Sequence, residues 1–182
     1  MVQDGKHDPL TAATVTIAWV IILNKPFYPA TIWWLLGDGF QASMISVISM
    51  LFFLAIPFLA RRSPLAARIA LPLIGTVDTV FETKLFGVAS GTELFFAACV
   101  MLVAVSFRQS ERLWQVGMTG VVFAGFLYTR YLLGDAWQMW SAPDLAKLLN
   151  LNAFAVACLT AFIALRYAGL QREGHSSGTR PS

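Results

Sequence analysis

Residues 44–60 read MISVISMLFFLAIPFLA, and residues 94–107 read LFFAACVMLVAVSF. Neither block holds a charged residue, and neither is interrupted every few positions as a helix with one water-facing side would be. A helix crossing the hydrocarbon layer needs about 20 predominantly apolar residues, and these blocks suit that solvent. Apolar residues make up 57% of the 182-residue chain and charged residues 13%, with a mean hydropathy of +0.65. Soluble domains run at roughly 45–50% apolar and 25% charged. So short a chain has no soluble core large enough to bury the excess, so the sequence reads as an all-α polytopic membrane protein.

Outward from these blocks, six spans are expected, the first short or broken. Residues 11–23 are apolar, then Asn24, Lys25 and Pro26 interrupt, and Phe27 to Leu36 resumes with Tyr28, Pro29, Trp33 and Trp34. Proline removes a helical hydrogen bond and disfavours helix at the residue before it. The first helix is therefore expected over Pro9 to Leu23, with the aromatic remainder lying at the membrane interface or returning shallowly. A single broken helix reaching Leu36 is the competing reading.

The second span is expected over Gln41 to Leu59, where Ser43, Ser46 and Ser49 form a row of small residues suited to close packing. The third begins at the cap pair Ser63-Pro64 and runs to Thr83. The fourth covers Thr92 to Phe107 and the fifth Glu111 to Leu133. Ser141 and Asp144 have capping-box spacing ahead of a sixth, whose lipid-facing part is Leu149 to Tyr167. Ala153, Ala157 and Ala161 give it a ridge for a neighbouring helix. Residues 1–170 are read as one transmembrane domain and residues 171–182 as a disordered cytoplasmic tail.

Six spans put Lys6, Arg61, Arg62, Arg68, Arg108, Arg112, Arg166, Arg172 and Arg180 on one side. The other side receives only Lys25, Lys84, Arg130 and Lys147. Basic residues near span ends favour the cytoplasm, so both termini are expected inside, in a bacterial inner membrane. Phe27, Tyr28, Trp33, Trp34, Trp137 and Trp140 then gather at the outer interface. The first apolar block lacks a basic leader and a clear cleavage site, and is expected to be retained. Net charge is +3 and the isoelectric point near 9.1, but the basic residues form no cluster, which argues against nucleic acid.

Ionisable groups at membrane depth pose a functional question. Asp78 and Glu82 stand at i and i+4 on the third span and share a face. Glu93 opens the fourth span and Arg130 closes the fifth. Together these four are the candidate ligand-binding residues of an outward-opening polar pocket, joined by Lys84, Tyr128 and Tyr131. Headgroup placement explains Glu82, Lys84, Glu93 and Arg130 equally well, since long side chains reach the interface. Asp78 is too short for that and is expected to pair with Arg130 or face a cavity.

The carboxylates Asp78, Glu82 and Glu93 suit a hard cation at best, and no metal or other cofactor is expected. His7 and His175 lie in the polar ends, which disfavours haem, and Cys99 and Cys158 read as small apolar residues. HExxH, GxSxG, CxxC and phosphate-loop motifs are absent from the sequence, so no catalytic residue is assigned. Gly87 and Gly91 are read as turn glycines, and Gly117 and Gly120 as points of close helix approach.

One outer turn reads Leu85-Phe86-Gly87-Val88-Ala89-Ser90-Gly91 and runs into Thr92-Glu93-Leu94-Phe95-Phe96. A basic inner turn reads Ser106-Phe107-Arg108-Gln109-Ser110-Glu111-Arg112. Six short-looped helices with these turns resemble the bacterial six-helix sensor-like module that precedes adenylate cyclase, diguanylate cyclase or histidine kinase domains. The resemblance implies a membrane sensor without the output domain, and a membrane or cytoplasmic signalling protein as partner, with homo-oligomers open. It makes Asp78, Glu82 and Glu93 candidate ligand contacts. A small transporter or channel using the intramembrane carboxylates is the alternative, and a membrane enzyme ranks third.

Overall fold

The computed structural model describes residues 8–177, with side chains as far as Leu170. All regular structure in the described residues is helical. Helix α1 spans Pro9–Asn24 and begins where its residues say it should. Asp8 accepts hydrogen bonds from the Thr11 amide at 3.1 Å and the Thr11 hydroxyl at 2.8 Å, and Pro9 takes the first turn, where its missing N–H costs nothing.

Helix α2, Phe27–Leu36, follows at 42° to α1 and ends on Gly37 in the left-handed conformation. The Asn24-Lys25-Pro26 break ends α1 at Asn24, one residue past the expected Leu23, and the chain turns through Lys25 and Pro26 before helix resumes. The aromatic stretch forms a second helix, since proline at a helix start loses no needed hydrogen bond, and the bent pair has the form of a broken span or of a segment that returns to the surface it came from.

Helices α3 (Phe40–Val47) and α4 (Met50–Arg62) together make one long apolar rod. Between them the amides of Ile48 and Ser49 bond three residues back, to Ile45 and Ser46. The buried serine row accounts for the tightening: the Ser46 and Ser49 hydroxyls donate to the carbonyls of Ser43 and Ser46 at 2.7 Å. Helix α5 spans Pro64–Phe86, with the Ser63 hydroxyl accepting from the Ala66 amide. Two short 3₁₀ turns, Val88–Ser90 and Thr92–Leu94, lead into α6, Phe95–Ser106. Helix α7 spans Arg112–Tyr131 and α8 Ala142–Ser177. The last helix covers the first residues of the segment expected as tail, and residues 178–182 lie outside the described residues.

Gly87 and Gly91 sit at φ 86° and 80° and bound the first 3₁₀ turn, as expected of turn glycines. A β-carbon on Gly91 would fall 2.6 Å from Leu149 Cδ1, so glycine is needed there for space as well as conformation.

Among the described residues three helices are long and apolar enough to cross a membrane: Phe40–Arg62, Pro64–Phe86 and Ala142–Leu170. Counting each bent pair as one span raises the number to five. The second such pair, residues 92–106 and 109–131, is folded through 120°. The α-helical part of the expected fourth span has 12 residues, about 18 Å of axis at 1.5 Å per residue, well short of the ~30 Å hydrocarbon layer.

The largest core cluster joins α1, α4, α5, α6 and α8 around Ile17, Phe53, Ile56, Leu71, Leu102 and Ile163. Ala153, Ala157 and Ala161 do not fill the role expected of them within this chain: all three are exposed, since α8 turns its Ile163 and Asn152 face inward. Gly117 and Gly120 likewise have open space where a β-carbon would stand.

Candidate functional site

The break after α1 sets the site. Lys25 follows the last turn of α1 and turns inward, with only 10% of its side chain exposed. Its ammonium donates to Asp78 Oδ1 at 2.8 Å and Glu82 Oε1 at 2.7 Å, both on α5. A third, longer bond at 3.4 Å reaches the Ser46 carbonyl on α3. The i, i+4 spacing places both carboxylates on one face of α5, so one cation bridges them. Asp78 is eight residues short of Phe86, the end of α5, about 12 Å along the axis. At that depth an unpaired charge is costly, and the lysine meets the need.

The ion triad forms part of the wall of a cavity of about 500 Å³. Apolar side chains make up most of the rest: Val20 and Ile21 of α1, Leu71 of α5, Leu102 of α6, and Leu159 and Phe162 of α8. Phe27 and Phe154 line it too, yet are 67% and 70% exposed on the outside of the molecule. Val20 and Asn24 of α1 and Cys158 of α8 are exposed lining residues as well, so the cavity opens sideways where α1, α2 and α8 meet, through mainly apolar residues.

The expected pair between Asp78 and Arg130 does not form. Arg130, at the end of α7 and 47% exposed, meets Glu93 at 3.3 Å instead. The four candidate residues thus divide into two groups: Asp78 and Glu82 in the cavity with Lys25, and Glu93 with Arg130 outside it. Lys84 does not join either group. It donates to the carbonyls of Leu133 and Asp135 at 2.9 and 2.6 Å and holds the turn after α7. Tyr128 and Tyr131 are 46% and 78% exposed and lie off the cavity. Among the described residues no three His, Cys, Asp or Glu side chains converge to hold a metal ion, and between Asp78 and Glu82 that position is taken by the lysine.

Three placements that bear on the site lie outside the expected set. Lys25 stands in the sequence as part of a helix interruption and as one of the outer-side charges, and the signal of its role is a lysine inside an apolar run in a chain whose third span carries an i, i+4 carboxylate pair. Asn152, fully buried on α8, donates to the Ser90 carbonyl at 2.9 Å and accepts from the Tyr28 hydroxyl at 3.2 Å, tying α8 to α2 and the 3₁₀ turn. Arg68, counted among the topology charges, is 2% exposed and pairs with Glu111 and, at 3.6 Å, with Asp8.

Arg108 meets Asp8 at 3.6 Å as well. These pairs gather the start of α1, the start of α5 and the turn between α6 and α7 at one end of the molecule. Partial burial by itself raises the Asp8 carboxyl, but the Thr11 hydroxyl and amide, with Arg68 and Arg108, hold it below the usual 3.8.

No family model, curated protein or solved structure matches this chain. Fold and site define the class: an all-helical protein with helices fit to cross a membrane, built around a side-opening cavity with a buried ion triad.

Proposed function

We propose that the chain is a non-enzymatic membrane sensor or regulatory module, in which a small molecule occupies the cavity and acts on the Lys25–Asp78–Glu82 triad. The observation that carries this reading is the position of the triad. It connects the bend between α1 and α2 to the middle of α5, and it borders a cavity within the roughly 300–1,000 Å³ range of small-molecule sites. A ligand that binds the triad changes what holds the bend, and the helix ends carry the change to a partner.

The reading places six crossings in a bacterial inner membrane, with α1 and α2 as one broken span and α6 and α7 as two. The ion cluster of Asp8, Arg68, Arg108 and Glu111 then lies on the cytoplasmic side, and the triad opens toward the outer half. Clustering of the N-terminal start with two basic turns supports this arrangement, since arginines near span ends favour the cytoplasm. The exposed alanine ridge of α8 offers a second membrane chain or a signalling protein a surface for close approach.

A transporter is the second reading, favoured by a broken helix beside intramembrane charges. Proteoliposome flux separates the two. The sensor reading expects no proton, sodium or small-solute movement that depends on Asp78; flux abolished by Asp78→Asn overturns it. Reporter cysteines between residues 61 and 68 are expected to resist external labelling in intact cells.

A further inference from the structure

We infer that the cavity is selective for a lipophilic amine, a monocation with an apolar body, and not for an acid or a neutral alcohol. The inference rests on the reading of the cavity as a ligand site and names the ligand class. Lys25 contributes one basic group to the lining, and Asp78 and Glu82 two acidic ones, a formal excess of one acidic group. The remaining lining residues carry no Asp, Glu, Lys, Arg or His.

Hydrogen-bond capacity has the same bias. An ammonium has three donors, and those of Lys25 are directed to Asp78, Glu82 and the Ser46 carbonyl. An anionic ligand therefore finds no free donor on it. Each carboxylate, by contrast, meets Lys25 through one oxygen only. Among the described residues no hydrogen bond reaches Asp78 Oδ2 or Glu82 Oε2, and the two side chains remain 12% and 13% exposed. The triad offers free acceptors and one acidic group more than it has basic ones, which an ammonium head satisfies with short, charge-assisted bonds.

The body of the ligand follows from the walls and the mouth. Val20, Ile21, Leu71, Leu102 and Phe162 present hydrocarbon, and entry lies past Phe27 and Phe154. A ligand reaching this mouth partitions into the bilayer first, so both its apolar body and its single charge are selected.

The test uses the full chain in nanodiscs of neutral phosphatidylcholine, titrated with n-octylamine, n-octanol and n-octanoate, with heats from empty discs subtracted. Saturable one-to-one binding of octylamine, at least tenfold tighter than either other probe, is the expected result. Asp78→Asn and Glu82→Gln each weaken it tenfold or more, while Arg130→Gln leaves it unchanged. Ala155→Phe, which adds bulk to the cavity wall from α8 and keeps all three charged residues, abolishes binding should the carboxylate variants fail to fold. Octanol or octanoate binding as well as octylamine overturns the amine selectivity and leaves the ligand-site reading intact. Absence of saturable binding by all three probes overturns both.

Discussion

Replacing Lys25 with Met tests whether the triad holds the bent helix pair in place. The substitution keeps the length and apolar stem of the side chain and removes the one cation that bridges Asp78 and Glu82 at 2.8 and 2.7 Å. Two carboxylates, 12% and 13% exposed, are then left beside each other without a counter-charge. Removing one partner of a buried ion pair costs about 3–5 kcal/mol, because the partner stays buried and uncompensated. For a chain of this size each kcal/mol lowers the melting temperature by roughly 2–4 °C, which gives a fall of about 6–20 °C. Thermal unfolding in dodecyl maltoside, followed by circular dichroism, measures it.

The triple variant Lys25→Met, Asp78→Leu, Glu82→Met is expected to regain at least half of the loss. Apolar groups of similar volume replace a buried ion cluster at little net cost. A single variant that melts within 2 °C of wild type, or a triple variant less stable than the single one, refutes the reasoning. Either result means that the ammonium is not the group compensating the two carboxylates.

Further outcomes are expected from stability measurements on other variants. Arg130→Gln should cost no more than about 1 kcal/mol, since its pair with Glu93 involves a guanidinium 47% exposed. Asn152→Ala leaves the Ser90 carbonyl and the Tyr28 hydroxyl without their partner and should cost about 1–3 kcal/mol. Gly91→Ala meets Leu149 and an unfavourable φ of 80° and should destabilise by about 1–3 kcal/mol, whereas Gly117→Ala, in open space within α7, should be neutral or stabilising. A held-down Asp8 carboxyl contributes stability that is fully present above its unfolded value of about 3.8 and is lost as the pH falls through its lower folded value. Stability measured from pH 6 down to 2 should therefore drop in the acid range, and Asp8→Asn should flatten that part of the profile.

Local chemistry made much of the fold legible in the chain. The apolar blocks announce membrane helices because no water-facing side interrupts them. Ser63-Pro64, Ser141 with Asp144, and the two turn glycines act within a few residues of themselves, so their roles follow from neighbours in the sequence. The bend after α1 was equally readable in Asn24-Lys25-Pro26. Depth along a helix is also a local quantity, and it marks Asp78 as a group in need of a partner, while Glu82, one turn nearer the helix end, is explained equally well by the headgroup region.

Which partner they take is not local. Lys25 and Arg130 both bring a positive charge to the same half of the molecule, and spacing alone does not rank them. Packing of α1 against α4 and α5 decides the matter, because it points the lysine between the carboxylates and leaves Arg130 to Glu93. The same holds for Arg68, whose sequence context reads as a charge near a span end while the tertiary structure buries it against Glu111 and Asp8. A lone ionisable residue states a cost through its chemistry, and only the approach of distant helices determines which opposite charge offsets it.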